Sequence, residues 1–311
     1  MTKKVVVTGG AGFIGSHLAE RLAKKQYRVV ILDNLSTGEM ANVEPLLKKD
    51  NVELIQGSVT DLPLLRKLFQ GAHYIFHQAP MPSMLLSLDN PQASHQVGIT
   101  GTLNVLLAAR DSGVKKVIYA SSSAVYGDSP IQPLKEDMLP SPQSPYAVTK
   151  LAGEYYCYVF HHVYALPTIC LRYFNVYGPR QDPESPYASV IPRFISRVSQ
   201  GSPPIILGDG EQTRDFTFIG DTVEANILAA ESDAIGVFNI GGSESVTINQ
   251  LARLIIELLG SNVEPVYGEL RPGDIRHSLA DISKANTLGY EPKCSLEAGL
   301  EKTIRWFSKG G

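Results

Sequence analysis

The stretch KVVVTGGAGFIGSHLAERL, residues 4–22, limits the possible folds of this chain more than any other. A β-branched run ends at Gly10, Gly12 and Gly15, in a GxGxxG spacing, and an amphipathic helical pattern follows. Glycines so placed permit a tight turn, close backbone approach to a pyrophosphate and close packing of helix on strand. The free amides and dipole of the helix start favour phosphate oxygens. Taken alone, the glycines could equally be those of an ordinary βα turn. The context selects the dinucleotide reading, because a second β-branched run, RVVILD, ends at Asp33, 18 residues after Gly15. A carboxylate there accepts bonds from the adenosine ribose hydroxyls and repels a 2′-phosphate. Asn34 and Leu35, which follow it, carry no positive charge. NAD, rather than NADP, is the expected cofactor.

The alternation continues. VELIQG (52–57), HYIFHQA (73–79), KKVIYASS (115–122) and PTICLRYFN (167–175) read as strands, each separated from the next by helix-like segments such as PQASHQVGITGTLNVLLAARDSG. Near-continuous apolar strands alternating with helices indicate an α/β fold, a parallel sheet covered on both faces in the doubly wound (Rossmann) arrangement. After residue 178 the texture changes to GPRQDPESPYASVIP, a Pro- and Gly-containing polar stretch that reads as a long functional loop. Residues 1–178 are therefore expected to form the NAD-binding domain and residues 179–311 a smaller mixed α/β substrate lobe. Within that lobe, RDFTFIGDTVEANILAA and GVFNIGG read as sheet-like, so residues 214–242 are expected to return to the first domain. Thr247 is placed to cap the helix INQLARLIIELLG.

The 311 residues suit two domains, or one large α/β domain with an appended lobe. A formal net charge of −3 argues against a general electrostatic mode of nucleic-acid binding. Cys157, Cys170 and Cys294 form neither metal-ligand spacing nor a disulfide framework, which points to a reducing, cytoplasmic location and no metal. The N-terminus enters a strand directly and reads as no signal peptide, and no apolar run reaches the roughly 18 residues of a membrane span. A soluble protein without a membrane partner is expected. His161 and His162 read as helix-surface residues, and Tyr155, Tyr156 and Tyr158 as packing residues.

Tyr146 and Lys150, in SPYAVTK, lie one turn apart on one helix face. A free phenol titrates near ~10, so its use as a base at neutral pH requires about 4 kcal/mol of differential stabilisation. A nearby ammonium and the positive nicotinamide ring have the right sign. The run ASSSAVYGD, ending a strand, offers a serine hydroxyl to share the substrate's proton.

With these motifs and LDNLSTG, IFHQA, LRYFNVYGPRQ, GDGEQTRDFTFI and RPGDIRHSLADISKA, the chain resembles the extended short-chain dehydrogenase/reductases over essentially its whole length. Within that family it resembles the nucleoside-diphosphate-sugar 4-epimerases. The resemblance implies Tyr146 as base, Lys150 as the lysine that lowers its pKa and holds the nicotinamide ribose, and Ser122, with Ser123 beside it, as the proton-sharing serine. Gly9, Gly12, Phe13, Ile14 and Gly15 would cradle the NAD pyrophosphate. Asp33, Asn34, Ser36 and Gly38 would line the adenosine side. Ser58 and Val59 would sit near the adenine, and Gln78, Ala79 and Pro80 at the nicotinamide end. For a UDP-sugar substrate it implies Ser83, Asn175 and Val190, Arg214 and Arg271 on the diphosphate, Asp274 on the uridine ribose, and Ser278 beside the sugar.

Related dehydratases and decarboxylases carry an acid just after the catalytic hydroxyl, where this chain has Ser123 and Ala124. That difference favours epimerisation. Ser278 stands where a tyrosine would restrict the pocket to glucose and galactose, so room for an N-acetyl group is expected, as in the UDP-N-acetylglucosamine 4-epimerase branch. Ser58 replaces a usual Asp, Gly98 a usual Asn and Pro80 a usual Ala. Apolar residues on more than one face of the two long helices, with the resemblance, imply a homodimer joined by a four-helix bundle.

Overall fold

The computed structural model describes residues 2–79, 84–183, 188–269 and 275–308. Strands β1 (Lys4–Thr8), β2 (Arg28–Asp33), β3 (Val52–Gln56), β4 (Ala72–His77), β5 (Lys116–Ser122) and β6 (Thr168–Tyr173) coincide with the apolar runs of the sequence. Short strands β7 (Val176–Tyr177), β8 (Ile205–Leu207), β9 (Thr213–Arg214) and β10 (Thr217–Phe218) precede β11 (Gly236–Ile240), and β12 (Val246–Thr247) and β13 (Val266–Gly268) follow. The main sheet runs β11-β6-β5-β4-β1-β2-β3, and its strands pair in parallel. Val5, Val7, Ile31 and Phe76 project to one side of it and Val6, Val30 and Ile75 to the other, all buried, so the sheet separates two apolar layers.

Helices α1 (Phe13–Lys24), α2 (Met40–Val43) and α3 (Leu62–Phe69) serve the first three strands. After α4 (Met84–Asp89) comes one interrupted segment: α5 (Pro91–His95), a π-helical stretch Gln96–Gly101, and α6 (Thr102–Asp111). The sequence pattern gives no sign of that interruption. Gly98 lies within it, and a Cβ there would stand 2.6 Å from Thr149 Cβ, so the missing side chain lets this segment approach α7 (Pro145–Tyr164).

The reading of residues 214–230 as sheet-like is corrected. Thr217–Phe218 is a two-residue strand, and α9 (Ile219–Glu231) follows, burying Ile219, Val223 and Ile227 at a helical spacing of four. Helix α9 packs on α1, β5 and β6, and β11 extends the sheet beyond β6. The remaining residues build a smaller cluster from α8 (Val190–Ser199), α10 (Ile248–Leu258) and α12 (Leu296–Phe307), with Ile191, Ile195, Leu251, Ile255 and Leu300 at its centre. Thr247 caps α10 in a reciprocal capping box with Gln250. Helix α11 (Ser283–Asn286) packs on β11.

Helix α7 divides along its length. Its first turns bury Ala147, Thr149 and Lys150 against the sheet, whereas Val148, Tyr155, Tyr158, Val159 and Val163 stand on the surface. Tyr155 is 58% and Tyr158 61% exposed, so neither packs within this chain. The exposed His162 fits its surface assignment.

Candidate active site

A cleft of about 690 Å³ runs along the carboxyl ends of the strands, where the sheet order reverses between β1 and β4. That reversal is where doubly wound sheets bind ligands. At one end the walls are largely backbone. A Cβ on Gly15 would lie 2.1 Å from Gly9 O, and one on Gly9, itself at φ +68°, would lie 2.7 Å from Ala79 Cα. Only glycine lets β1, β4 and the start of α1 converge there. Gly12, Phe13 and Ile14 line the same face of the cleft, so the amino-terminus of α1 opens onto it.

Asp33 ends β2 and is buried. Its Oδ2 accepts from Ala11 N and its Oδ1 from Leu35 N, both at 2.9 Å. These two bonds leave a carboxylate acceptor capacity of about two more. A Cβ on Gly38 would crowd both carboxylate oxygens at 2.9 Å, so the glycine keeps that face clear. Asn34 and Ser36 close the turn, Asn34 Oδ1 accepting from Ser36 Oγ at 2.8 Å. Ser58 and Val59 line the cleft beyond them, with Ser58 Oγ accepting from Thr60 N. The bare glycine surface, the helix amides and an acid positioned for ribose hydroxyls fit NAD.

The chemistry sits where α7 crosses the end of β5. Ser144 caps α7, with Oγ accepting from Ala147 N at 3.2 Å, and Pro145 opens the helix with a preset φ. Tyr146 N donates to Ser87 Oγ of α4 at 3.0 Å, which fixes the residue's approach to the cleft. Ser122 stands beside the Tyr146 phenol and favours its ionised form. Because Ser122 Oγ already accepts from Ala124 N at 3.2 Å, its proton is free to point at the phenol. Ser123 also lines the cleft, but it opens a 3₁₀ turn (Ser123–Tyr126) and does not replace Ser122 as the partner.

Lys150 is fully buried, donates to Ala120 O, and lies 5.5 Å from the Tyr146 ring centroid and 5.4 Å from that of Tyr119. Burial lowers its pKa to about 7, with Glu154 opposing the change. Burial also pushes the Tyr146 phenol above its ordinary range, and Ser122 is the group that opposes it. In the protein alone, burial of the phenol is the largest influence on Tyr146.

At the end of β4, Gln78 Nε2 donates to Asn226 Oδ1 at 3.0 Å, and Tyr173 OH donates to the same oxygen at 3.0 Å. Gln78, Ala79 and Tyr173 line the cleft above this buried bond set.

The other end draws on separate parts of the chain. Asn175, Val190, Arg214 and Ser278 all reach the cleft, as the resemblance implied. Asp215 fastens them. Its carboxylate accepts from Gly242 N at 2.6 Å, Ser243 N at 3.1 Å and Ala280 N at 3.0 Å, and its carbonyl accepts from Asn175 Nδ2 at 3.1 Å. Burial raises its pKa to about 6 against these amides. Gln132 clamps the segment carrying Ser278, donating to His277 O and accepting from Leu279 N. Arg276 ties the same segment to Asp209 through two bonds of 2.8 and 2.9 Å. Pro80, Ser83, Arg271 and Asp274 lie outside the described residues.

Several cleft residues escape sequence reasoning. Met84, Leu85 and Leu86 of α4, Leu207, Phe216 and Ile248 form an apolar lining that no motif marks. Gln212 lines the same region, is 4% exposed, and donates from Nε2 to Leu207 O at 2.8 Å, while its Oε1 has no protein partner.

A Ser–Tyr–Lys set facing a dinucleotide cradle defines an NAD-dependent oxidoreductase site of the short-chain type. The chain belongs to the NAD dependent epimerase/dehydratase family, whose model matches residues 5–241. Its structure superposes with a TM-score of 0.96 on the UDP-N-acetylglucosamine 4-epimerase from Methanobrevibacter ruminantium in complex with UDP-N-acetylmuramic acid, at 44% identity over 100% of this chain and 99% of that one. It is 37% identical over 308 residues to the UDP-glucose 4-epimerase of Mycolicibacterium smegmatis, covering 98% of each. It is 36% identical over 312 residues to the UDP-glucuronate 4-epimerase of Thermodesulfobacterium geofontis, covering 97% of this chain and 95% of that one. Among the described residues no helix is long and apolar enough to cross a membrane, and no group of three or more His, Cys, Asp or Glu is arranged to hold a metal.

Proposed function

We propose that this protein interconverts the C4 epimers of a UDP-hexose and admits the N-acetylglucosamine/N-acetylgalactosamine pair. One observation carries the reading. Ser122, Tyr146 and Lys150 line one cleft together with Asp33 and Ser278. Epimerisation needs a dinucleotide and a sugar nucleotide to meet end to end at a base. Ser123 and Ala124 present no carboxylate to the cleft, which disfavours dehydration and decarboxylation.

In this mechanism Ser122 holds the sugar's 4-oxygen and Tyr146 takes its proton. Bound NAD supplies the hydride acceptor and later the donor, and its oxidised ring brings the positive charge that favours the phenolate. With NAD bound, the hydrogen on C4 would leave as hydride when Tyr146 takes the 4-hydroxyl proton. The 4-keto sugar would turn about its bond to the diphosphate, the hydride would return to the opposite face of C4, and Tyr146 would return the proton to the 4-oxygen. Asn175 and Arg214 hold the diphosphate through that turn, so binding energy from the remote nucleotide supports chemistry at the sugar. The guanidinium fork suits phosphate oxygens. Gln212, with its unused carbonyl oxygen among apolar neighbours, is suited to accept from the N3–H of uracil. A small buried Ser278 leaves room beside the sugar for an acetamido group.

The exposed apolar residues of α7, Val148, Tyr155 and Val163, support a homodimer through α6 and α7. Cys157, Cys170 and Cys294 are free thiols, which suits a reducing cytoplasm.

The test is to incubate the purified protein separately with UDP-N-acetylglucosamine, UDP-glucose and UDP-glucuronate, without reductant, and identify the sugars released on hydrolysis. Galactosamine derivatives should form from the first. Turnover of the glucose/galactose pair alone would overturn the substrate assignment.

A further inference from the structure

Three consecutive residues of β5 each hold a different turn of α7. Ser122 stands beside Tyr146, Ala120 O accepts from Lys150 Nζ, and Ser121 Oγ donates to Glu154 Oε1 at 2.5 Å. Tyr146, Lys150 and Glu154 follow at intervals of four and so share one helix face. From β6, Arg172 grips Glu154 in a bidentate pair, Nε to Oε1 at 2.9 Å and Nη2 to Oε2 at 2.7 Å, with each side chain 4% exposed. Arg172 also lies over the Tyr126 ring, 4.6 Å from its centroid. The epimerase mechanism gives Glu154 no contact with substrate or cofactor. A buried ion pair is also a weak source of stability, since apolar residues often serve as well. Its place one turn beyond Lys150 suggests another task.

We propose that Glu154 is a positioning residue for catalysis, holding a proton on Lys150 and thereby setting how much of the Tyr146–Lys150 pair is in its working charge state. The inference rests on the epimerase reading of that pair. Shifting one proton from Tyr146 to Lys150 turns a neutral pair into phenolate and ammonium without changing the total proton count, so the two groups titrate as a unit. A carboxylate about 6 Å along the axis from the lysine and about 12 Å from the tyrosine favours the charged pair.

No other group facing Lys150 among the described residues does this. Tyr119 on β5 and Tyr173 on β6 are pushed up by burial, and Cys170 is pushed up by its hydrogen bond to Cys157 and by burial, so all three are uncharged. His77 on β4 bridges Thr8 and Thr102 at 2.8 and 3.0 Å and is kept neutral, its pKa lowered to about 3 by burial and by Lys150. Arg172 donates to Glu154 from Nε and Nη2 and to Glu136 O from Nη1, so its charge lies on the side of Glu154 and Glu136. Burial alone drives Lys150 down, and Glu154 is the charge that resists.

The decisive experiment is the pH profile of kcat for Glu154→Gln, with Glu154→Asp and Tyr146→Phe in parallel, on the UDP-sugar the wild type turns over. In Glu154→Gln the midpoint of the bell should move to lower pH by about one unit and the maximum fall at least tenfold. Glu154→Asp, which keeps the charge, should recover most of both. Should Glu154→Gln not fold, the double variant Glu154→Gln/Arg172→Met removes the whole pair and should move the midpoint in the same direction by less, because the opposing guanidinium charge goes with the carboxylate. A folded variant whose profile keeps its midpoint, whether scaled down or unchanged, overturns the inference. Turnover by Tyr146→Phe would instead overturn the catalytic reading; a dead Tyr146→Phe with an unshifted Glu154→Gln overturns the role of Glu154 alone.

Discussion

The two ends of the cleft are built by different means. The cofactor end is local backbone: β1, its glycine turn and α1 occupy Lys4–Lys24, and Asp33 closes the site within the next strand. The sugar-nucleotide end assembles β6, β8, β9 and the segment around Ser278 by side-chain clamps, chiefly Asp215, Gln132 and Arg276. A backbone site tolerates little, because its shape is the chain itself. A clamped site can be reshaped one side chain at a time, which is how one family can keep a cofactor and change sugars.

The largest effect should come from breaking the backbone end. Gly15→Val would drive a side chain into Gly9 O, 2.1 Å from the ideal Cβ position. NAD affinity should fall by at least about a thousandfold in calorimetric titration, with a loss of thermal stability. Near-normal NAD binding would show that the glycine turn is not the cradle.

The sugar end should respond more selectively. Ser278→Tyr should reduce kcat/KM for UDP-N-acetylglucosamine by about a hundredfold and that for UDP-glucose by less than about fivefold. Equal losses on both sugars would mean that Ser278 does not face the 2-substituent. Asp215→Asn places an amide group against three backbone N–H donors, at an expected cost of about 2 kcal/mol. KM for the sugar nucleotide should rise about tenfold with NAD affinity unchanged. A parallel loss of NAD affinity would dissolve the distinction between the two ends.

The same difference decides what could be read from the sequence. The glycine spacing, Asp33 and the Tyr–Lys pair are local patterns with a direct physical meaning, and the strands through β6 declare themselves as β-branched runs. The apolar lining from Leu207, Phe216 and Ile248 has no local mark, because only tertiary packing brings it to the cleft. Gln132 and Asp215 escape for the same reason: each acts across more than 25 residues of sequence. Residues 219–231 mislead because β-branched residues at helical spacing imitate a strand when the period is not counted. The depressed pKa of Lys150 depends on burial, which a YxxxK pattern cannot express.

The smallest effect concerns the junction of the two ends. Burial lowers the Lys150 pKa from the ordinary lysine value of 10.5 to about 7. Between those values the unfolded chain binds more protons, so this lysine makes stability rise with pH from about 7 to 10.5, and its burial cost is fully present below 7. That cost is at most roughly 5 kcal/mol. Lys150→Met should therefore raise Tm by several degrees at pH 6.5 and by less at pH 9.5, while abolishing turnover. A variant less stable at pH 6.5 would contradict the burial argument.

If one phenol serves both ends of the cleft, Tyr146→Phe separates binding from turnover. NAD binding should stay within about threefold of wild type by calorimetry, while epimerisation of the preferred UDP-sugar falls by at least about a thousandfold. Sustained epimerisation in that variant would contradict the account, because another group would then be moving the proton.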